Sequence, residues 1–520
     1  MGLFRPERSS YEKFLQTNDL SYLYQNTAFD WLILSLYFGV LVILALYGLH
    51  RYQLVYLYFK YRKNQAQPKA RFSALPVVTV QLPIFNELYV VERLIDSVCR
   101  LDYPRDALQI QVLDDSTDET SQLARRKVHH YARAGFDIQY IRRPNRKGFK
   151  AGALEYGLRQ ARGEFIAIFD SDFTPQPDTL NRTIHHFSNP SVGMVQVRWG
   201  HINRDYSLLT KVQAILLDGH FIMESATRHR AGRFFNFNGT AGMWRKQTII
   251  DAGGWEHDTL TEDLDLSYRA QMKGWEFVFL SDFTVPAELP VEMNSFKAQQ
   301  YRWAKGSIQT GKKLLPKILR SALPIRIKME AFFHLSANIA YPLMIVLGLL
   351  LFPALIIRFH QGWFELFILD LPLFTLATLS VSSFYLVSQK QVSKNWKSRL
   401  KYLPFLMSVG IGLSVSNSKA VLEALFGIDS SFVRTPKFCI QNIRDNWKIK
   451  RYRSRVGFLP LMETALGLYF ALMIAYSLDI RIYGIIPFLV LFMVGYSYTG
   501  LMSLIQPLRL RLPQYLTSYR

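Results

Sequence analysis

The sequence predicts an α/β domain inserted in a bundle of membrane-spanning helices, and three observations carry that prediction. From about Val77 to Leu319, short β-rich runs alternate with helical patterns, the signature of βαβ units and a mostly parallel sheet. Long apolar stretches flank this region on both sides. Basic residues gather at the ends of those stretches, in a chain with 62 Lys and Arg against 40 Asp and Glu, a net charge of +22.

The first thirty residues are polar and mixed in charge, so no cleavable signal peptide is expected. The first apolar run, Trp31–Leu49, carries no charge and is long enough to cross the hydrocarbon core. His50, Arg51, Lys60, Arg62 and Lys63 follow at once and mark a cytoplasmic flank, which places the N-terminus outside. After the α/β region, runs over Ile339–Ile357, Leu371–Val387, Leu461–Leu478 and Ile485–Ile505 are read as further spans. Tyr402–Phe426 starts apolar but is broken by Ser414, Ser416, Asn417, Ser418, Lys419 and Glu423. If it crossed the membrane, the clusters Lys437–Arg455 and Arg509–Arg520 would lie outside. If it lies in the interface, these and the Lys390–Lys401 cluster are all inside. Five spans with an internal C-terminus are therefore expected. The +22 follows from membrane topology and does not indicate nucleic-acid binding. The domains expected are 1–70 with the first span, a cytoplasmic domain over 71–290, amphipathic interface helices over 291–332, and spans over 333–520 with an interfacial helix at 402–426. Cys99 and Cys439 are too few and too far apart for a disulfide framework or a zinc site.

Candidate chemistry sits at the ends of predicted strands, where ligands of parallel α/β sheets bind. QLPIFNE ends at Glu87, and VLDDSTDET carries Asp114 and Asp115. A carboxylate there can accept from a base N–H or a ribose hydroxyl, or merely open the next turn. IFDSDFTP places Asp170 and Asp172 together, hard oxygen ligands suited to Mg²⁺ or Mn²⁺ with a substrate diphosphate. RKGFKAGAL brings Lys147, Gly148, Lys150 and Gly152 ahead of a helix, as phosphate contacts or as a solvated basic loop. TLTEDLDLSYRAQMKGW opens a helix with Glu262 and Asp263, as a general base or as helix-dipole partners. QQYRWAKGS offers Gln299, Arg302 and Trp303: Trp303 to stack on a sugar ring, Arg302 to hold a phosphate. Lys297, Lys305, Lys312, Lys313 and Lys317 also suit an interfacial helix with snorkelling lysines.

Taken in order, these residues resemble family 2 glycosyltransferases of the cellulose-synthase-like type, whose pattern is D, DxD, TED and QxxRW. The matching positions are Asp115, Asp170 and Asp172, Thr261-Glu262-Asp263, and Gln299 with Arg302-Trp303. Phe432-Val-Arg-Thr-Pro-Lys437 looks like that family's gating loop, expected at 430–440. The phrases TEDLDLSYRAQMKGW and QQYRWAKGSIQT are closest in feel to a bacterial branch similar to plant glucomannan and xyloglucan-backbone synthases. Ceramide glucosyltransferases share much of the pattern. Fewer spans precede the domain than in well-studied cellulose synthases, and no C-terminal regulatory domain is visible.

The resemblance implies a GT-A fold, Rossmann-like and nucleotide-sugar-binding, and an inverting displacement. It assigns Pro83, Glu87, Asp114, Asp115, Lys150, Asp170, Asp172, Gln299 and Arg302 to the donor. Asp170 and Asp172 take the metal. Asp263 is the base, with Glu262 and Asp172 completing the catalytic set. Trp303, Gly239 and Thr240 hold the acceptor, and Phe432, Arg434, Thr435 and Lys437 form the gate. The expected activity is transfer of a hexose from UDP-glucose or GDP-mannose to the non-reducing end of a β-glycan, processive and coupled to export. The expected location is the cell membrane, with the catalytic domain cytoplasmic. The expected partners are the nucleotide-sugar, the acceptor and membrane lipids. The alternative is a glycolipid synthase adding one sugar to a membrane lipid. The tyrosines of the last spans, Tyr469, Tyr476, Tyr496 and Tyr498, are stacking faces for a glycan or ordinary membrane aromatics.

Overall fold

The structure is a computed structural model describing residues 28–360, 367–430, 434–452 and 457–517. The chain divides into two compact units: one of Tyr56–Ser336 with Ala424–Ser454, and one of Met1–Val55, Ala337–Glu423 and Arg455–Arg520.

The first unit is built on seven strands: β1 (Val78–Ile84), β2 (Leu108–Asp114), β3 (Asp137–Ile141), β4 (Phe165–Ile168), β5 (Val192–His201), β6 (Gly242–Arg245) and β7 (Glu276–Ala287). They lie in the order β3-β2-β1-β4-β6-β5-β7. β1 pairs parallel with β2 and β4, β2 with β3, and β5 with β7, whereas β6 is antiparallel to both its neighbours. β1 and β2 put Val78, Val80, Leu82, Ile110 and Val112 on one face, whereas the other carries buried Thr79, Gln81, Gln109 and Gln111, which pair across the strands (Thr79 Oγ1 donates to Gln109 Oε1 at 2.8 Å, Gln81 Nε2 to Gln111 Oε1 at 3.0 Å). The strand order reverses between β1 and β4, which opens a crevice at their carboxyl ends.

The helix Met293–Arg320, which carries Gln299, Arg302 and Trp303, packs into this unit. Several of its lysines make contacts within this unit, while Lys317 is exposed. Lys297 and Lys305 are buried. Lys305 Nζ donates to Ser430 Oγ (2.9 Å), and Lys312 Nζ donates to the carbonyls of Ala424 and Leu425 (3.0 and 2.7 Å).

Four helices among the described residues are long and apolar enough to cross a membrane: Ala28–Tyr61, Ile325–Arg358, Leu459–Asp479 and Tyr483–Pro507. The expected span over 371–387 falls in a 26-residue helix, Phe367–Val392. Residues 402–426 hold the helices Leu403–Gly412 and Ser414–Phe426, and the helical run Trp396–Gly412 meets Ser414–Phe426 at a bend of 41°. In the second unit Gly412 and Gly495 let two backbones touch: a Cβ on Gly412 would lie 2.4 Å from the Gly495 carbonyl. Small residues make such close crossings possible between apolar helices. Tyr496 is buried, with its hydroxyl 2.9 Å from that of Ser414. Tyr476 and Tyr498 pack edge-on against Phe352 and Phe405, and the Tyr469 hydroxyl reaches the Leu349 carbonyl. These tyrosines therefore engage neighbouring helices.

Candidate active site

The carboxyl ends of the strands converge on one cavity. β1 supplies Pro83, Ile84, Phe85 and Glu87. Asp115 follows β2, Asp170 and Asp172 follow β4, His201 ends β5, and Glu288 follows β7. Lys150, Gly239, Thr261, Glu262, Asp263, Gln299, Arg302, Trp303, Arg434, Thr435 and Lys437 line the same space.

The contacts are electrostatic and close. Lys150 Nζ lies 2.5 Å from Asp170 Oδ1 and donates to the Gly239 carbonyl at 2.8 Å. Gly239 has φ of +78°, and a Cβ there would sit 2.9 Å from Asp263 Oδ2 and 3.4 Å from Lys150 Nζ. Only glycine gives both the left-handed backbone and the room. Asp170, Lys150 and Asp263 thus share one corner. In another, Lys437 Nζ lies 2.7 Å from Asp172 Oδ2, and Arg434 lies 3.3 Å from Glu87 Oε2. The Phe438 amide donates to Glu288 Oε1 at 2.8 Å.

Burial sets the proton affinities. It raises the pKa of Asp263, the adjacent Glu262 raises it further, and Lys150 and Arg302 offset part of the rise. Burial pushes Glu87 up to about 8, against the pull of Arg434 and Lys437. Burial opposes the charge on Lys150, but Asp170 and Glu262 outweigh it, so its pKa is raised. Burial lowers that of Arg302 despite the carboxylates around it.

The helix with Arg302 and Trp303 is held to the Thr261-Glu262-Asp263 turn by a close approach. A Cβ on Gly306 would lie 2.5 Å from Thr261 Cγ2. Gln309 Oε1 accepts from the Leu260 amide at 3.0 Å, and the hydroxyls of Thr261 and Thr310 are 3.3 Å apart.

Two expected site residues do not line the cavity. Asp114 is buried, accepting from the Tyr140 hydroxyl (2.6 Å) and the Ser116 amide (2.9 Å), so it braces the strand end. Thr240 is buried too, and its Oγ1 accepts from the Asp170 amide at 2.8 Å, which positions the DxD turn. Asp115 does line the cavity, but both its oxygens are held by Arg143 at 3.0 and 2.5 Å. Phe432 lies outside the described residues. Glu288, His201, Trp199, Arg146 and Asn238 line the cavity without having been singled out. The strand-end rule that found Glu87 and Asp115 also applies to Glu288, after the run EFVFLSDFTVPA.

The carboxylates fit a hard divalent cation. Asp170, Asp172 and Glu288 all line the cavity, with one oxygen of each paired to Lys150 (2.5 Å), Lys437 (2.7 Å) and Arg93 (3.7 Å) respectively. A second acidic group, Glu256, Asp258 and Asp265, has ligand spacing, but Lys313 Nζ sits among its oxygens, 2.8 Å from Asp258 and 3.0 Å from Asp265. It is an ion-pair cluster.

A mixed, doubly wound sheet with acidic strand ends around one cavity defines a GT-A-type domain. Residues 76–306 match the family model described as glycosyltransferase like family 2. The chain is 44% identical over 259 residues to glucomannan 4-beta-mannosyltransferase 1 of Oryza sativa subsp. japonica, an alignment covering 49% of this chain and 50% of the relative. The chain spans about half the length of the first such relatives. With glucomannan 4-beta-mannosyltransferase 7 of Arabidopsis thaliana the identity is 30% over 468 residues, 85% of this chain and 80% of the relative. The mannosyltransferase PcManGT from Pyrobaculum calidifontis, solved with GDP-Man and Mn²⁺, shares the fold at 19% identity and a TM-score of 0.51, over 75% of this chain and 99% of its own. The chain belongs to the cellulose-synthase-like branch of the family 2 glycosyltransferases.

Proposed function

We propose that the protein is an inverting, membrane-bound hexosyltransferase that extends a β-glycan from a nucleotide-sugar. The observation that carries this reading is the meeting of Asp170, Lys150 and Asp263 at Gly239, in a cavity that also holds Asp172, Arg302 and Trp303. UDP-glucose and GDP-mannose are the candidate donors, and relatives named 4-beta-mannosyltransferases favour GDP-mannose.

In this mechanism Glu87 and Asp115 bound the nucleoside end of the cavity. Asp170 and Asp172 are the residues that would hold Mg²⁺ or Mn²⁺, which would supply positive charge opposite the nucleoside diphosphate leaving group. Lys150 orients Asp170 and meets the diphosphate. Asp263 accepts the proton of the attacking acceptor hydroxyl, a role suited to a carboxylate whose pKa burial has raised. Arg302 stabilises the leaving diphosphate, and Trp303 seats the terminal acceptor sugar. The Arg434–Lys437 segment closes the cavity through Glu87 and Asp172. The catalytic unit lies on the cytoplasmic side of the cell membrane, and the helical unit exports a processively made product.

Incubation of purified protein with a radiolabelled panel of nucleotide-sugars, followed by organic extraction and gel filtration, tests this reading. A glycan in the aqueous or insoluble fraction is the expected product. A label that partitions wholly into the organic phase as a single-sugar lipid would contradict it and establish the glycolipid synthase instead.

A further inference from the structure

The loop over 236–240 contains a residue that the motif pattern does not use. Asn238 lines the cavity next to Gly239, and its amide hydrogen-bonds to Gln196 Oε1 at 2.9 Å. Its side-chain Oδ1 lies 2.8 Å from His220 Nε2 and accepts from Asn236 Nδ2 at 3.2 Å. Asn236 is itself oriented, because its Nδ2 also donates to the Phe237 carbonyl at 3.0 Å. On the far edge of the same ring, His220 Nδ1 lies 2.8 Å from Glu224 Oε2. Because Asn236 Nδ2 donates to Asn238 Oδ1, that oxygen is the atom facing His220, and His220 Nε2 is the nitrogen placed to donate to it.

This arrangement is anchored. His220 and Glu224 lie in a π-helical stretch, His220–Ser225, between the α-helices Leu208–Gly219 and Ala226–Arg230. Such turns are rare and occur often at functional sites. Glu224 faces Arg228 at 3.7 Å, and Arg228 and Arg233 both bind the buried Glu330 at 2.9 and 2.8 Å. Burial works against the charge on Glu224, but His220 and Arg228 outweigh it and hold it well below the usual carboxylate range. Turning the ring would break its half-buried contact to Glu224, which is tied through Arg228 to the buried Glu330.

We propose that His220 is a positioning residue that fixes the Asn238 amide with its NH₂ available to the ligand, and that Asn238 recognises one hexose hydroxyl. With Oδ1 occupied twice, the nitrogen is the group left to act, and its protein acceptor, the Asn236 carbonyl, is distant at 3.4 Å. His220 does not line the cavity, so it acts through Asn238. The inference rests on the transferase reading.

The test uses the full-length protein in detergent, with the nucleotide-sugar it turns over. Steady-state constants for donor hydrolysis and for transfer are compared for the wild type, Asn238→Ala, His220→Ala and the double variant, together with binding of the free nucleoside diphosphate. Each single change is expected to lower kcat/KM by about three- to tenfold, the worth of one hydrogen bond. The double variant should be no worse than the more impaired single one, because the two residues act as a unit. Nucleoside diphosphate binding should be unchanged, which a merely structural role would not predict. A deficit seen without acceptor assigns the hydroxyl to the donor sugar, and one seen only in transfer assigns it to the acceptor. Multiplying losses, or a wild-type His220→Ala, would overturn the proposal. If His220→Ala does not fold, Glu224→Gln should give the same loss, and wild-type kcat/KM in that variant is equally fatal. Turnover that Asp263→Asn abolishes and His220→Ala leaves intact removes this inference alone. A wild type with no turnover removes the transferase reading as well.

Discussion

At the scale of single residues, Asp263 is the position on which the proposed chemistry turns. Its carboxyl is buried beside Glu262, which raises its pKa, so the deprotonated base is lost at a higher pH than for a free aspartate. The expected acid limb of kcat/KM therefore lies above the ordinary aspartate value of about 3.9. A limb at that ordinary value, in a profile otherwise dependent on Asp263, would contradict the assignment. Trp303 makes a separate prediction. If it seats the acceptor, Trp303→Ala impairs transfer more than hydrolysis of the donor, and equal impairment of both shows that it only supports the fold, where it lies 6.5 Å from Trp199. Most of these residues were legible in the sequence because each is a carboxylate or a cation at a strand end or helix start. Asp114 and Thr240 were singled out with them but do not line the cavity, because adjacent residues at one turn face opposite ways. Asp114 turns inward to Tyr140, while Asp115 turns to the cavity wall and Arg143.

At the scale of elements, two glycines decide how closely helices approach. Gly306 lets the helix Met293–Arg320 rest on Thr261, and that contact brings Arg302 and Trp303 to Asp263. Gly306→Ala inserts a methyl where there is no room, a type of overpacking that costs about 1–3 kcal/mol. The expected result is a lower Tm together with reduced transfer, read by thermal unfolding and turnover in parallel. An unchanged Tm and rate would show that the helix does not need this approach. Gly412 plays the matching part in the helical unit, against Gly495. The first four strands and the helices between them follow from the apolar runs and their spacing. The antiparallel strand Gly242–Arg245 does not: four residues are too few for a period to show, and pairing to β4 and β5 decides its direction. The inward binding of Lys305 and Lys312 was hidden for a related reason. Lysine spacing on a helix looks the same whether its partners are lipid headgroups or carbonyls from Ala424 and Leu425.

At the scale of the whole molecule, the sequence puts 333–520 with the spans, whereas Ala424–Ser454 groups with the α/β unit Tyr56–Ser336. Hydropathy does not show the bend of 41° between Trp396–Gly412 and Ser414–Phe426, where Gly412 lies close against Gly495. Transfer should depend on a divalent cation. Chelation is expected to abolish release of nucleoside diphosphate, and Mg²⁺ or Mn²⁺ to restore it. Full activity in chelator would remove the metal from the account. The most direct test of the central claim compares wild type with Asp263→Asn in nucleotide binding and in transfer from the nucleotide-sugar. The account predicts that Asp263→Asn inserts, folds and binds nucleotide as the wild type does but loses transfer by about 10²–10⁴-fold, the usual worth of a general base. Transfer at the wild-type rate by that variant would contradict it.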